Sequence, residues 1–354
     1  MDALGVAGMT GSPCGALAPT PDWIAVSVGA VERGVTMEVV TPLTPGGWPE
    51  APGLPDAAEL LPDDTLGFAA LSFNPSVEEW REALGLCTIA DLLGEDLWDE
   101  VLASIPADDQ IALFEEVARM GRDGAAPPAP EPFGYDATLA DVLDLALWAM
   151  STLAGFDMES DLLDHLGGGV IVGVLSLDGD LAGAPDVAAM LAYREGSSGA
   201  LGDTMALLAQ RLADDLGLGL DSADVGAEHR ALMVELDDPE GGGLAPGYVL
   251  HDGYLTFSTT RSALEAVVSR QKGAGDALAD DGEYRRTTAH LPGRPDMLTY
   301  LNLRRLVGAM SGADLIDRRA GDALEEIMGS AAVSAGSDDR VSRVTFALML
   351  FPEG

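Results

Sequence analysis

Basic side chains are scarce. Against 59 aspartates and glutamates stand 19 lysines and arginines, a formal net charge of −40 at pH 7. A surface of that sign cannot neutralise phosphates, which excludes nucleic-acid binding by the electrostatic route and docking on anionic lipid headgroups. Lysine occurs once, at Lys272; with 43 glycines and abundant alanine this reads as the codon bias of a GC-rich genome. Cysteine is limited to Cys14 and Cys87, enough for one disulfide at most, and neither belongs to a C-x-x-C pair. Pro13 directly before Cys14 does not suit a lipidation box. Histidine is limited to His165, His229, His251 and His290, with no H-x-x-x-H or H-E-x-x-H pair to suggest zinc. His229 and His251 read as surface or edge residues, and His165 as a helix C-terminal residue favoured by the dipole. Five tryptophans and six tyrosines are few for a sugar-stacking cleft. Long apolar runs are missing too: the best, residues 139–156, contains Asp141 and Asp144, so this segment is not expected to insert into a membrane. The chain opens Met-Asp, with no basic region leading into an apolar core, so no signal peptide is read.

What is present suffices for a core. Of 354 residues 47% are apolar and mean hydropathy is +0.16, which excludes wholesale disorder and predicts one large or two modest domains. The charge is uneven. Residues 261–354 hold 14 acidic and 12 basic residues, net −2, leaving 45 acidic and 7 basic residues, net −38, for residues 1–260. The pairs Arg285/Arg286, Arg304/Arg305 and Arg318/Arg319 suggest an end that docks on the acidic body; the plainer reading is a solubilising acidic surface beside a balanced end.

Residues 22–42 alternate apolar and polar side chains around Glu32-Arg33-Gly34, which predicts a two-stranded hairpin. Further strands are predicted at 65–73, 170–177, 187–193, 230–236, 297–303, 331–336 and 341–351. The clearest local signal is 248–258, where Asp252-Gly253 favours a tight turn. Helices are predicted at 77–84, 89–103, 108–120, 138–154, 197–216, around 280–290 and up to Met328, with Ser76-x-x-Glu79 and Ser262-x-x-Glu265 as caps. A regular strand-helix-strand rhythm is absent. The expected class is therefore α+β, an antiparallel meandering sheet or sheets of hairpins with helices packed on one face. Residues 1–50 are expected as a hairpin segment, and 51–354 as the main domain carrying an inserted helical region at about 77–166.

The two ends look alike. Asp2-Ala3-Leu4 and then Ala25–Gly29 parallel Asp322-Ala323-Leu324 and then Ala332–Gly336, each followed by a charged turn and a second strand. Read as duplication, residues 1–50 are the tail of a preceding copy and the chain begins in mid-protein; the alternative is coincidence among Ala/Gly/Val-rich hairpins. Leu61–Thr65 (LPDDT) running into a strand, the strand after Leu166-Gly167, the hairpin Tyr248–Thr259 and Leu291-Pro292 leading to Thr299–Leu303 together resemble a bacterial family of large extracytoplasmic domains of unknown function. The resemblance covers about residues 60–350. It implies an extracytoplasmic, periplasmic or cell-surface location, and it carries over no catalytic residue; this chain departs from the family in lacking an export or anchor segment.

No constellation for catalysis is legible. There is no G-x-S-x-G elbow. The triplets Gly167–Gly169 and Gly241–Gly243 read as a helix stop and a turn, because the first leads from helix to strand and the second lies among Asp237, Asp238 and Glu240. Asp178/Asp180, Asp237/Asp238/Glu240 and Asp280/Asp281/Glu283 are the loop carboxylates calcium could use, without a full calcium-loop pattern in any of them. No catalytic, cofactor-binding or metal residue is assigned, and no cofactor. The expectation is a non-catalytic extracytoplasmic binding or structural module with an unidentified protein or small-molecule partner. The alternatives are a carrier with a hydrophobic ligand in a groove between sheet and helices and, more weakly, a hydrolase using acidic residues.

Overall fold

The computed structural model describes residues 23–42, 54, 56–120, 129–177, 185–225, 229–235, 244–291, 295–337 and 341–351. The chain begins there with β1 (Ala25–Val31) and β2 (Gly34–Pro42), then α1 (Ala57–Leu60) and β3 (Gly67–Ser72). A run of helices follows: α2 (Val77–Gly85), α3 (Ile89–Leu93), α4 (Glu95–Ser104), α5 (Ala107–Met120), α6 (Leu139–Ala154) and α7 (Met158–Asp161). Next come β4 (Leu166–Ser176), β5 (Asp186–Tyr193), α8 (Ser198–Leu216), β6 (Gly219–Val225), β7 (His229–Glu235), β8 (Gly247–His251) and β9 (Tyr254–Ser258). The last part is α9 (Arg261–Gln271), α10 (Gly282–Thr288), β10 (Met297–Asn302), α11 (Leu303–Gly312), α12 (Arg318–Glu325), β11 (Met328–Ser337) and β12 (Val341–Leu350).

All twelve of these strands join one antiparallel sheet in the order β1-β2-β12-β11-β10-β3-β4-β5-β9-β8-β7-β6. The class is α+β. The N-terminal pair therefore belongs to the same sheet as the rest, bonded to β12 from Gly34↔Met349 to Pro42↔Val341.

Local chemistry starts most helices. Thr138 and Asp141 form a reciprocal capping box, and Thr88, Asp157, Asp281, Asn302 and Asp317 each accept an amide of the first turn. Several expectations need correction. Ser76 caps α2, but the Glu79 carboxylate accepts from the Asn74 amide instead of returning to Ser76. The cap of α9 is Thr260, two residues before the expected Ser262, which lies inside the helix. Residues 89–103 are two helices, separated where Gly94 takes φ 90°. Gly167–Gly169 does not stop a helix: it lies within β4, with Gly168 at φ 91° beside a register shift. Strand β6 had no expectation; its Asp221 and Asp224 disguise the alternation.

Cross-strand partners share a face of a sheet. One face carries Tyr300, Phe68, Ala70, Ile171, Ala188 and Met190, packed under α1, α9 and the turn 278–280 through Ala57, Ala58, Leu61, Ala263, Val267 and Leu278. Helix α8 packs on the opposite face, where Leu201 and Met205 close over Leu255. The expectation of helices on one face alone is thus overturned: α9 covers Val249 through Leu264 and Val268 on one side of the β8–β9 pair, and α8 covers Leu250, Leu255 and Phe257 on the other. The arginine-rich end also behaves differently from the sharper expectation. Arg285, Arg286, Arg305 and Arg318 pair with Asp280, Glu283, Asp281 and Asp314 of the same end, while Arg270–Glu59 and Arg343–Glu38 reach the acidic part. Most of those arginines are spent locally.

Candidate functional site

Two features of the described residues stand out, one polar and one apolar. The polar one is a recess of about 160 Å³ lined by Asp281, Glu283, Asn302, Arg304 and Arg305 at the C-terminal end of β10. Its charges are matched in pairs. Arg305 donates to the Asp281 carboxylate (2.8 Å) and to the Asp63 carbonyl, and Arg286 donates to Glu283 (2.8 Å), whose other oxygen accepts from Ser330 (2.9 Å). Asn302 caps α11, and Asp281 caps α10. Nearby, the Tyr300 ring is 1% exposed and stacks edge-on against Tyr284, centroids 5.1 Å apart. Its hydroxyl has no hydrogen-bond partner; Ser330 is close enough to favour the phenolate slightly without bonding to it in good geometry. Burial first, and then Asp281 and Glu283, push this phenol well above the ordinary tyrosine value, so it stays neutral and cannot act as a base near pH 7. The recess is a strut that joins α10, α11 and the loop before β3.

This arrangement answers for one of the carboxylate clusters. Asp280, Asp281 and Glu283 each face a guanidinium, which leaves them no spare charge for calcium. Asp178/Asp180, Asp237/Asp238/Glu240 and Gly241–Gly243 lie outside the described residues. His251 is buried rather than a surface residue, 3% exposed with Nδ1 3.0 Å from the Gln271 amide oxygen. His165 precedes β4, with Nδ1 3.1 Å from the Ser197 hydroxyl. Among the described residues no group of three or more His, Cys, Asp or Glu side chains is placed to hold a metal ion.

The apolar feature is the second face of the sheet. Register carries one row through Val26, Val39, Val344, Ala335, Met297, Leu71, Val170, Leu191, Leu255 and Leu250 across ten strands. The next row runs Val28, Met37, Phe346, Val333, Thr299, Ala69, Val172, Ala189, Phe257 and Tyr248. Nineteen of those twenty side chains are apolar or aromatic. At the β9–β8 end α8 covers them, and Leu255 is 1% exposed. Toward the other end they open: Val172 40%, Leu71 47%, Val344 40%, Met37 41% and Val28 69%. In the β1–β2 pair Ser27, Thr36 and Glu38 point to the first face while Val26, Val28, Val35 and Met37 point to the open one. Strand β1 ends the sheet and contains no charged residue, the opposite of a protected edge.

The alternation of several of these strands was legible, but no reading of the sequence could align them into one face. The fold and this face define an α+β protein with a broad, open antiparallel sheet. Compared with protein-family models, with curated proteins and with solved structures, the chain matches none. No single helix among the described residues is long and apolar enough to cross a membrane.

Proposed function

We propose that this protein is a non-catalytic extracytoplasmic binding module that holds an apolar partner on the open face of its sheet. The observation that carries the reading is the pair of apolar rows from β4 to β1, where Val172, Leu71, Val344, Met37, Val28 and Val26 are exposed and the others are half-buried or exposed. A contiguous apolar surface of that breadth is uncommon on a protein without a partner. Enclosure of a small ligand between sheet and helices has less support, because the outermost valines face solvent. The test is titration with an environment-sensitive apolar fluorophore. Saturable binding that Val172→Asp and Val344→Asp each weaken at least tenfold is the expected result; absence of binding, or binding indifferent to both, ends the reading.

The extracytoplasmic part is supported by Cys87, which is disulfide-bonded; Cys14, the chain's other cysteine, lies outside the described residues. Disulfides persist in oxidising compartments. Peptide mapping without reductant, on protein recovered directly from its cells, should find Cys14 and Cys87 linked, and a free Cys87 thiol would argue for a reducing compartment.

Duplication belongs to the same proposal, with a different boundary from the terminal match of Ala25–Gly29 to Ala332–Gly336. Outward from the β3–β10 ladder the sheet reads β10-β11-β12-β2-β1 on one side and β3-β4-β5-β9-β8 on the other, where β7 and β6 extend it further. The central ladder is centred on Ala69↔Thr299, and the shift in numbering that carries Ala69 onto Thr299 also carries Leu61-Pro62 onto Leu291-Pro292. Both flanking pairs bear a register irregularity at the matching place, Leu166/Val170 in β4·β5 and Met328/Ala331 in β11·β12. Under this reading β1–β2 is the counterpart of β8–β9 and completes the unit that β10–β12 begin.

A further inference from the structure

We infer that the open face over β1 and β2 is the seat of an amphipathic helix from a partner protein, laid across the strands as α8 is laid across β8 and β9. The inference rests on the proposed apolar binding face and on the pairing of the two halves. The two-residue turns Glu32-Arg33 and Asp252-Gly253 set the correspondence, because Val31↔Gly34 closes one hairpin and His251↔Tyr254 the other. It carries Leu255 onto Val35, Phe257 onto Met37 and Tyr248 onto Val28. In the first half these positions are covered by Leu201, Met205 and Leu208, spaced along one side of α8, and Leu255 is 1% exposed. In the second half Val35, Met37 and Val28 are 40%, 41% and 69% exposed.

The chain thus contains, in its own covered half, the template of what the uncovered half accepts. Helices laid on apolar surfaces by residues at i, i+4 and i+7 are a recurrent recognition mode. Chemistry narrows the partner further. Residues 23–42 contain Glu32, Arg33 and Glu38 as their only charged groups, so this corner escapes the repulsion expected elsewhere from a chain of net charge −40. A helix of either net charge can approach it, and apolar spacing decides the fit.

The probe is a fluorescent peptide with the sequence of residues 197–217, titrated into the full chain and followed by anisotropy. Saturable binding is expected, weakened at least tenfold by the double variant Val28→Asp/Met37→Asp and equally by Leu201→Asp/Met205→Asp in the peptide. A photoreactive group at the peptide's Met205 position should crosslink within residues 25–42. Because Val28 and Met37 are exposed, the double variant should fold, and an unchanged circular dichroism spectrum checks this. No saturable peptide binding while the apolar fluorophore still binds would overturn the helix and leave the binding face standing. Loss of both would remove the face as well. A crosslink to residues 247–258 would overturn the inference, since the peptide would then be replacing α8. So would a stable dimer that the double variant breaks, for the occupant would then be a second copy of this chain.

Discussion

Tyr300→Ala is expected to lower the free energy of unfolding by about 3–5 kcal/mol, the range for removing a buried aromatic ring, whereas Tyr300→Phe is expected to leave it unchanged or raise it by about 1 kcal/mol. The ring fills the centre of the covered face. It is 1% exposed, pairs with Phe68 across the β3–β10 ladder and packs against the Tyr284 ring. Removing it leaves a cavity at the β3–β10 ladder, where the two strands cannot close together without breaking their pairing. The hydroxyl is another matter. It is buried without a partner, so deleting it abolishes an unmet desolvation cost and creates no new one. Denaturant unfolding of the three proteins separates ring from hydroxyl. A loss above about 1 kcal/mol in Tyr300→Phe would mean that the hydroxyl is bonded after all, because a neutral hydrogen bond contributes about that much.

The same burial gives a pH dependence with a definite sign. Tyr284 is pushed up to about 12 by burial and by Asp56 and Glu59, and Tyr300 further still. In the unfolded chain both phenols ionise near the ordinary tyrosine value of about 10. Their folded-state values are raised, so the associated stability is fully present below about pH 10 and is lost as pH climbs toward 12 and beyond. Phenolate absorbance should show these two tyrosines ionising together with unfolding, and Tyr300→Phe should shrink that step. Ionisation of all six tyrosines near pH 10 in the folded protein would contradict the burial.

Gly34→Val is expected to detach the β1–β2 hairpin from the sheet at a cost of about 1–3 kcal/mol, the usual range for forcing bulk into a packed site. A Cβ at this position would lie 2.5 Å from the Leu348 carbonyl oxygen and 2.8 Å from the Met349 sulfur. The carbonyl belongs to the backbone of β12, which cannot turn aside without giving up its pairing with β2. Gly29 makes a useful contrast, for its nearest atom is the Thr36 hydroxyl at 2.9 Å, a side-chain atom that can move at the cost of its long hydrogen bond to the Gly29 carbonyl. Amide exchange should therefore rise over residues 25–42 in Gly34→Val while α9 stays protected. Gly29→Ala should change little. Equal exchange in both variants and the native protein would show that β2 tolerates bulk against β12.

Much of the local structure was legible in the chain. Period-two alternation marked β1, β2, β9 and β12, and Asp252-Gly253 marked a turn whose residues take φ 43° and 85°. A side-chain cap marked the start of α2. Errors arose where one residue type serves two states. Gly167–Gly169 carries no periodicity of its own, and its place in β4 comes from pairing with β3 and β5. His251 followed the rule that turn residues are exposed, yet Gln271 of α9 closes over it. Asp280, Asp281 and Glu283 looked like spare carboxylates because their arginine partners, Arg285, Arg286 and Arg305, are chosen by helix geometry and by the fold.

The sequence by itself determined which residues could line one side of a strand and where helices could begin, because alternation and capping act over a few residues. It also determined the net charge of −40, since net charge is a sum over composition. Only the tertiary structure decided that β1–β2 stands beside β12, that β3 meets β10, and that two rows of apolar residues from ten strands lie side by side. Strand order is set by contacts between residues far apart in the chain, whose partners no local pattern names. The open face exists only in that order, which is why no single segment announced it.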